Sequence, residues 1–425
     1  MTSRRRVVII GGGFGGLHAA RALRNEPLDV TLIDRTNHHL FQPLLYQVAN
    51  TSLAPSDIAA PIRWILRQQR NLTVLLGDVT QVDPVARRVL VHGHPEALEY
   101  DALVVATGSR HAYFGHDAWE PYAPGLKTME DALELRRRML LAFERAEWTD
   151  DEAERRALTT FVIVGGGPTG VELAGTLPEF ARAALRPDFR RFDAGAARVV
   201  LIEAGPCLLS TMPERVRTSA KRDLEALGVE VLLNAAVTSV DADGVIVRGE
   251  RLSARVVFWA AGNAASPLGR TLGAPVDRAG RVLVNADLSV PGHPEIFVVG
   301  DLAAVRWSEA AWVPGVAPAA MQMGALAGRN LVRRLRGEPT TPFRYVNKGE
   351  MATIGRNKAV AVLGQRFAIT GRPAWFLWLF VHIMYLVGFR NRLSVLLQWG
   401  YAYLTFQRGV RLVTEAQRAG DVRSR

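Results

Sequence analysis

The fold is decided by the stretch Val7-Val8-Ile9-Ile10-Gly11-Gly12-Gly13-Phe14-Gly15-Gly16. Its four leading apolar residues predict a buried strand that runs straight into a glycine turn. Leu17 to Arg24 continues as an alanine- and leucine-rich helix, and Val30 to Ile33 is a second buried strand that ends at Asp34. A strand, a glycine turn, a helix and another strand in this order predict a parallel βαβ unit.

The glycines of this turn have the spacing that suits phosphate binding. Gly11 makes the tight turn, Gly13 lets the backbone approach a pyrophosphate, and Gly16 lets helix and strand pack closely. The phosphate then lies at the helix N-terminus, where unpaired N–H groups favour an anion. At the tip of the second strand, Asp34 can accept a hydrogen bond from a ribose 2′-hydroxyl. The turn predicts a dinucleotide site, with a purely structural turn as the alternative.

The whole unit occurs a second time. Phe161 to Val164 predicts a strand, the turn Gly165-Gly166-Gly167-Pro168-Thr169-Gly170 follows, and the next strand ends at Glu203. The interval to Glu203 is longer than the usual spacing of about 20 residues, and its excess, Leu177 to Ala197, predicts an inserted helix and loop. The glycines that match those of the first turn are Gly165, Gly167 and Gly170.

The tip of the second strand in this repeat also indicates which nucleotide binds. Glu203 repels a 2′-phosphate, and the following Ala204-Gly205-Pro206 supplies no arginine to bind one. NADH is therefore expected rather than NADPH.

Further glycine turns follow later predicted strands, at Thr107-Gly108, at Gly262 and at Gly300-Asp301. Strands that alternate with helices predict an α/β fold with two doubly wound Rossmann-type dinucleotide-binding domains, the second inserted in the first. The expected domains are 1–120 together with 263–342, then 121–262 inserted between them, and a C-terminal membrane-anchoring helical region at 343–425.

The composition argues against several kinds of redox and metal site. Cys207 is the single cysteine in 425 residues, which excludes an internal disulfide, a CxxC redox pair and a cysteine zinc site. His38 and His39 have no metal-like partner and are assigned to packing or hydrogen bonding, so no metal is expected. The apolar run after the basic start is too short for a signal peptide, and no stretch reaches the roughly 20 apolar residues of a spanning helix. We therefore expect a cytoplasmic protein.

The C-terminal region differs from the rest of the chain in charge and aromatic content. Basic residues far outnumber acidic ones from Leu326 to Arg425, while the remainder of this +11 chain is nearly neutral. Ala374 to Phe389 is apolar except for His382. A stripe at helical spacing holds residue types that prefer a membrane interface, namely Trp375, Trp378, His382 and Tyr385.

The next stretch, Leu393 to Arg411, predicts an amphipathic helix. Its polar stripe is Ser394, Gln398, Tyr401, Thr405 and Arg408, and its apolar face is Leu396, Trp399, Tyr403, Phe406 and Val410. Two such helices with a basic flank predict a monotopic anchor in the headgroup layer of a phospholipid membrane. A dimerisation or core surface is the alternative. No nucleic acid partner is expected, because no binding module is visible.

These residues resemble the pyridine nucleotide–disulfide oxidoreductase superfamily. The resemblance implies that the N-terminal fingerprint binds FAD, that the inserted one binds the nicotinamide nucleotide, and that Asp301 contacts the flavin ribityl chain; for Asp301 a helix N-cap is the alternative. Thr107-Gly108 stands between them in the expected order. Most members relay electrons through a cysteine close to the flavin. Cys207 follows Glu203 in the nucleotide domain instead, which disfavours disulfide reductases, thiol peroxidases and sulfide:quinone oxidoreductases.

A narrower resemblance is to the type II NADH dehydrogenases, the single-subunit NADH:quinone oxidoreductases. It rests on Asn37 to Ala49, on Ala317 to Gly324 and on the aromatic C-terminus. In the family the first stretch, which includes Pro43, lies along the flavin, and the second is similar to the quinone-site motif AQxAxQ. Gln322 matches the second glutamine of that motif and is implied to contact a quinone carbonyl, with a solvent-facing side chain or backbone capping as the alternative. Pro318 replaces the first glutamine.

Two charged residues complete the site that the resemblance implies. Glu172 lies two residues past the third glycine of the second fingerprint, where a superfamily glutamate reaches the nicotinamide and flavin region and could position the ring or relay a proton. A carboxylate favoured by the helix dipole is the alternative. Lys348 matches a family lysine beside the quinone pocket, where a cation could stabilise reduced flavin or a quinol anion. Surface solvation is the alternative.

The resemblance implies an NADH:quinone oxidoreductase that passes a hydride from NADH to FAD and then two electrons to membrane quinone. Such an enzyme is expected not to pump protons, to lie peripherally on the cytoplasmic face of the cell membrane, and to form a homodimer. Two alternatives stay open. One is a soluble NADH-dependent flavin reductase that serves ferredoxin or another protein acceptor, and the other is a non-catalytic redox sensor that binds FAD and NADH.

Overall fold

The computed structural model describes residues 4–309, 311–364, 367–405 and 411–413. Within these residues the chain divides into two compact units. The first unit comprises Met1–Leu40, Ala59–Arg110 and Asn263–Lys348, and the second comprises Phe41–Ile58, His111–Gly262 and Gly349–Arg425. The second unit therefore joins the C-terminal residues to those around the second fingerprint.

The first unit is built on a six-stranded sheet. Its strand Arg5–Ile10 lies centrally, and Val7 to Ile10 are buried on both faces, which explains their uninterrupted apolar pattern. All strands but the edge strand Ser289–Val290 run parallel, in the order of a doubly wound sheet. From one edge to the other the strands are Ser289–Val290, His293–Val298, Ala102–Val105, Arg5–Ile10, Leu28–Asp34 and Leu72–Leu76.

Two long helices of this unit cross at glycines. Phe14–Ala22 begins at the first fingerprint and packs against Ala317–Leu335. A Cβ on Gly324 would lie only 2.0 Å from the carbonyl oxygen of Gly15, so position 324 requires glycine for the close approach. The unit's other elements are the helix Ile62–Ile65 and the strands His38–Leu40, Ala59–Pro61, Val79–Asp83, Arg88–Val91, Leu98–Glu99, Val282–Leu283 and Ala303–Ala304; short strands also occur at Ser109–His111 and Asn263–Ala265.

The second unit repeats the plan with a four-stranded parallel sheet. Its spatial order is Val229–Leu232, Arg198–Ile202, Thr160–Val164 and Val256–Trp259, which again surrounds the first strand of the fingerprint. The strand Thr160–Val164 is buried along its whole length. The predicted α/β class and its two doubly wound halves are thus confirmed. The unit's helices are Leu45–Ala49, Pro55–Ile58, Met129–Trp148, Glu152–Leu158, Pro168–Glu179, Glu214–Ala226, Arg372–Tyr385 and Phe389–Thr405.

Two small antiparallel sheets also belong to the second unit, and one of them lies in a region for which only helices were expected. This sheet pairs Glu350–Thr353, Ala359–Leu363 and Phe367–Gly371. Its central strand is buried, and its first strand packs on the helix Pro168–Glu179. The other sheet pairs Val237–Asp241, Gly244–Val247 and Glu250–Ser253.

The predicted insertion at Leu177 to Ala197 extends the fingerprint helix instead of forming a separate one. Pro168–Glu179 continues into a π-helical turn at Phe180–Leu185, and a short 3₁₀ turn follows at Ala194–Ala196. Pro178 lacks the N–H of a regular helical hydrogen bond, and the wider turn begins directly behind it.

Two residues of the stripe predicted on the first C-terminal helix are buried instead of outward. Trp378 and His382, expected at a membrane interface, are 2% and 9% exposed. The outward residues of Arg372–Tyr385 are Phe376, Phe380 and Met384, and those of Phe389–Thr405 are Leu393, Leu396, Leu397 and Tyr401. The predicted interface role of Trp378 and His382 is therefore wrong, because both side chains pack inside their own unit.

Two members of the predicted polar stripe of the last helix, Ser394 and Gln398, bond inward, whereas a third, Tyr401, is 56% exposed. Ser394 Oγ and Gln398 Nε2 each donate to the buried carboxylate of Asp57 at 3.1 Å, and Trp399 Nε1 donates to Gln47 Oε1 at 2.7 Å. Predicted members at Phe406, Arg408 and Val410 lie outside the described residues. Of the helices in the part of the chain that the structure describes, none combines the length and hydropathy required to span a bilayer.

Candidate functional site

The first glycine turn has the shape of a phosphate cradle. Gly11 has a φ of +101°, and a Cβ there would meet the carbonyl oxygen of Ala106 at 2.5 Å. A Cβ on Gly16 would lie 1.8 Å from the carbonyl oxygen of Gly11, so helix and strand need glycine to approach this closely. At Gly13 the space is open, with no atom within 4 Å of the Cβ position. The open side of the turn is where a pyrophosphate would lie.

Asp34 lies at the strand tip and its carboxylate also accepts a hydrogen bond from the glycine turn. Its Oδ2 accepts the Gly12 N–H at 2.5 Å, while Oδ1 accepts from the N–H and the hydroxyl of Thr36 at 2.7 and 2.8 Å. A carboxylate has about four lone-pair sites, so acceptor capacity remains for a ribose hydroxyl.

The second turn has the same geometry in its own unit. Gly165 has a φ of +112°, a Cβ on Gly170 would lie 1.9 Å from the Gly165 carbonyl oxygen, and Gly167 is open to 4 Å. Glu203 corresponds to Asp34 of the first turn. Its two carboxylate oxygens accept the N–H groups of Gly166 and Gly205, each at 2.6 Å. The helix Pro168–Glu179 begins directly after the turn, so its N-terminus is available to an anion.

One contact differs between the turns. The carbonyl of Gly166 is held by the backbone N–H of Leu209 at 2.8 Å, whereas that of Gly12 is held by the Nδ1 of His39 at 3.1 Å. His39 is 2% exposed, and burial lowers its pKa to about 4. Its ring is therefore neutral at physiological pH and donates to Gly12 from Nδ1. The sequence indicated hydrogen bonding here without showing that the partner is the fingerprint itself.

Thr107, Gly108 and Asp301 also lie in the first unit. The Thr107 hydroxyl is buried and has no hydrogen-bond partner among the described residues, which leaves it available to a ligand. Asp301 Oδ2 accepts from Ser109 Oγ at 2.8 Å. Asp301 lies inside the 3₁₀ turn Gly300–Leu302, whose N-cap is Val299. The unpartnered hydroxyl of Thr107 and the open face at Gly13 are compatible with bound FAD.

Gln322 is engaged with the backbone. Its Nε2 donates to the Val346 carbonyl and its Oε1 accepts the Val346 N–H, both at 3.0 Å. This is the capping contact that the sequence left open as an alternative. The same helix also meets the Gly300 turn, since Met323 Sδ accepts the Gly300 N–H at 3.2 Å. Lys348 is exposed two residues beyond Val346, and its charge lowers the pKa of His18 after the larger effect of burial.

Glu172 and Pro43 line one cavity of about 180 Å³ inside the second unit. The lining combines the turn around Pro43, the first turn of the helix Pro168–Glu179 and His382 of the first C-terminal helix. The remaining lining residues are Gln42, Leu45, Tyr46, Leu126, Pro168, Thr169 and Met351.

Burial raises the pKa of Glu172 to about 8. Its side chain is 8% exposed, and the nearest backbone donor, the N–H of Thr353, is 3.5 Å away. The Trp378 indole also favours the carboxylate, although its N–H makes no hydrogen bond of good geometry. Glu172 is therefore a neutral acid at pH 7 that faces a cavity and can donate a proton there.

His382 is a cavity residue that the sequence placed elsewhere. Its ring stacks on Trp378 with centroids 4.3 Å apart and meets the Phe41 ring edge-on at 6.3 Å. Burial lowers its pKa to about 4. One available signal was that His382 is the sole polar residue in an otherwise apolar stretch. Among the residues that the structure describes, no group of acidic, histidine or cysteine side chains has a metal-binding arrangement.

Comparison with known families divides the chain into two matched parts. Residues 5–324 match the family described as pyridine nucleotide-disulphide oxidoreductase. Residues 347–408 match the one described as the NDH2 C-terminal domain. The two matches cover the glycine turns and the C-terminal helices respectively.

Individual relatives match nearly the whole chain. Two proteins of Mycobacterium tuberculosis, the type II NADH:quinone oxidoreductases NdhA and Ndh, are 47% and 45% identical to it. Each alignment covers 97% of this chain, and 90% and 91% of the respective relative. A solved structure of NDH2 from Plasmodium falciparum has a TM-score of 0.87 at 21% identity, over 97% of this chain and 100% of that one. At that identity the likeness concerns the fold.

Proposed function

This chain belongs to the type II NADH:quinone oxidoreductases of the pyridine nucleotide-disulphide oxidoreductase family, and we propose that it oxidises NADH through bound FAD and reduces a quinone. The observation that carries this proposal is the pair of glycine turns, one in each unit. Each has an open phosphate side and an acidic strand tip, at Asp34 and Glu203. A chain with two dinucleotide sites can hold a hydride donor and a hydride acceptor together.

FAD supplies the redox chemistry, accepting a hydride and giving up electrons in turn. The residues proposed to hold it are in the first unit, except for Pro43. The Gly11-to-Gly16 turn would take its pyrophosphate, Asp34 its ribose and Asp301 its ribityl chain. The orphaned hydroxyl of Thr107, next to Gly108, supports this assignment. In domain terms, 1–120 with 263–342 would bind FAD, and 121–262 would bind NADH.

Three residues are proposed to act on the substrates. Glu172, a neutral acid in a cavity beside the second fingerprint, would position the nicotinamide or relay a proton. Gln322 uses one of its two amide N–H groups on Val346, which leaves the other for a quinone carbonyl. Lys348 would supply a positive charge near reduced quinone.

The C-terminal residues 343–425 are proposed to bind a phospholipid surface. Support comes from the apolar residues that both helices expose, namely Phe376, Phe380, Met384, Leu393, Leu396 and Leu397, and from Ser394 and Gln398 of the last helix, which bond inward to Asp57. A water-exposed helix would show the opposite pattern. A peripheral position on the cytoplasmic face and a homodimer are further proposals, which vesicle binding and analytical ultracentrifugation can test.

An anaerobic stopped-flow experiment tests the function. NADH should bleach flavin absorbance rapidly, and a short-chain quinone should restore it rapidly. Bleaching without recovery would remove the quinone step and favour the reductase that serves a protein acceptor. Absence of bleaching would leave the redox-sensor alternative.

A further inference from the structure

A buried carboxyl and a buried imidazole with opposite hydrogen-bonding capacity line the cavity of the second unit. Glu172 and His382 are 8% and 9% exposed, and both line its wall. The function proposed above uses Glu172 but assigns nothing to His382. Buried polar groups in native proteins have partners, so an unused one in a cavity indicates a ligand.

The tautomer of His382 is fixed by its helix. Nδ1 lies 2.8 Å from the carbonyl oxygen of Trp378, and a carbonyl oxygen can only accept, so Nδ1 carries the proton. In the neutral ring Nε2 then bears a lone pair and is an acceptor. No hydrogen bond engages Nε2 among the described residues. The contacts with Trp378 and Phe41 hold the ring plane in place.

Glu172 supplies the complementary group. As a neutral acid it has one O–H donor, and its contact with the Thr353 N–H is long at 3.5 Å. The cavity thus offers one donor on the fingerprint helix and one acceptor on the C-terminal helix. A ligand that satisfies both must present an acceptor and an N–H or O–H donor within this one cavity.

A primary carboxamide has this combination, with a carbonyl oxygen and an NH₂ group on one carbon. An oxidised quinone has acceptors only and would leave Nε2 of His382 unpaired. The cavity wall also includes Pro168 and Thr169, which begin the helix of the nicotinamide-nucleotide fingerprint. We propose that His382 Nε2 accepts a hydrogen bond from the carboxamide NH₂ of NADH while Glu172 donates to its carbonyl, a role that rests on the proposed NADH oxidation.

The test compares NADH with the reduced 3-acetylpyridine analogue, whose methyl ketone keeps the carbonyl and lacks the NH₂. The apparent dissociation constant of each is measured from the concentration dependence of flavin bleaching. A hydrogen bond of about 1.4 kcal/mol corresponds to a tenfold preference for NADH. Wild-type protein should show this preference, and His382→Phe should reduce it toward unity by weakening NADH alone. His382→Gln, whose amide oxygen can accept, should restore part of it.

The variant Phe376→Leu, on the outward face of the same helix, is the matched control and should keep the wild-type preference. Equal weakening of both nucleotides by His382→Phe would mean a structural role and overturn the proposal. Unchanged nucleotide binding with slower reoxidation by quinone would also overturn it, since His382 would then serve the quinone. Bleaching and recovery of wild-type flavin test the proposed function separately, without the analogue.

Discussion

At the scale of single residues, the raised pKa of Glu172 has a consequence that can be measured. With a pKa of about 8, this carboxyl keeps its proton at neutral pH and loses it above pH 8. Its donated hydrogen bond is then lost, and the KM for NADH should rise about 3- to 10-fold between pH 7 and pH 9, as expected for one hydrogen bond. Glu172→Gln, which cannot ionise, should show no inflection near pH 8 in steady-state assays.

The same shift affects stability with a definite sign. The folded protein holds this proton up to about pH 8, whereas a carboxyl in the unfolded chain releases it near its ordinary value of about 4.3. The stabilising contribution is therefore present in full below about pH 4.3 and is lost as the pH rises from there to about 8. The Tm of Glu172→Gln should depend less on pH between these two values than the wild-type Tm does. An identical dependence would contradict the burial of a neutral acid.

The hydrogen bond from His39 Nδ1 to the Gly12 carbonyl, called the latch below, leads to a prediction about FAD retention. His39→Phe leaves the buried Gly12 carbonyl without its side-chain donor, at a cost of about 1–3 kcal/mol. Weaker FAD retention should follow, measured as flavin released on dialysis and by its fluorescence. His38→Gln is the control, because the side chain of His38 contacts only that of its neighbour Asn37 among the hydrogen bonds described. Equal flavin loss from both variants would contradict the latch.

Low pH should reduce the stability of the folded protein through His39. The pKa of His39 is about 4 in the folded protein and about 6.5 in an unfolded chain, so the unfolded state binds the proton first as the pH falls. The stability contributed by neutral His39 is full above pH 6.5 and is lost toward pH 4. Compared with His39→Phe, the wild-type Tm should fall more steeply across that range.

At the scale of elements, the crossing of Phe14–Ala22 with Ala317–Leu335 depends on glycine. Gly324→Ala would place a Cβ 2.0 Å from the Gly15 carbonyl oxygen, which forces the helices apart and costs about 1–3 kcal/mol. Because Gly15 belongs to the first fingerprint, both Tm and FAD retention should fall. Gly400→Ala is the control: its Cβ would meet nothing within 4 Å, and it should leave flavin binding unchanged. Equal Tm and flavin retention in both variants would refute the close crossing.

The elements show where sequence reasoning succeeds. The fingerprint strands and turns follow from local rules, since four buried apolar residues and a glycine that must adopt positive φ leave few alternatives. The continuation of Pro168–Glu179 into a π-helical turn was not predictable, because periodicity cannot separate an extended helix from an inserted one. The sheet Glu350–Thr353, Ala359–Leu363 and Phe367–Gly371 was missed, since its strands are short and their burial depends on distant elements.

At the scale of the whole molecule, the burial of Trp378 and His382 on the first C-terminal helix was not predicted. Periodicity identified stripes on both helices, but it does not say which stripe faces the protein. That choice is made by Asp57, a buried carboxylate that needs donors and finds them in Ser394 and Gln398. Likewise, the sequence named Gln322 for the quinone, while its contact with Val346 depends on chain geometry far from the motif.

The outward apolar face leads to a prediction about membrane attachment. Phe376, Phe380 and Leu397 are 62%, 63% and 63% exposed, and each would contribute on the order of 1.5–3 kcal/mol if fully buried in lipid. Replacing all three by Ser should release the protein from vesicles of mixed anionic and zwitterionic phospholipid in a flotation assay. Oxidation of NADH by a short-chain, water-soluble quinone should continue, because these side chains point away from the cavity that contains Glu172.

The control for this prediction removes as much exposed apolar surface from elsewhere. Leu76, Val85 and Trp148 are 62%, 89% and 84% exposed and lie outside the C-terminal helices. Their triple replacement by Ser should leave vesicle binding unchanged. If both triple variants dissociate equally from vesicles, attachment depends on general surface hydrophobicity. If neither variant dissociates, the two C-terminal helices are not the anchor. If only the variant of Phe376, Phe380 and Leu397 is released and it still reduces a short-chain quinone, these side chains serve membrane binding and not NADH oxidation.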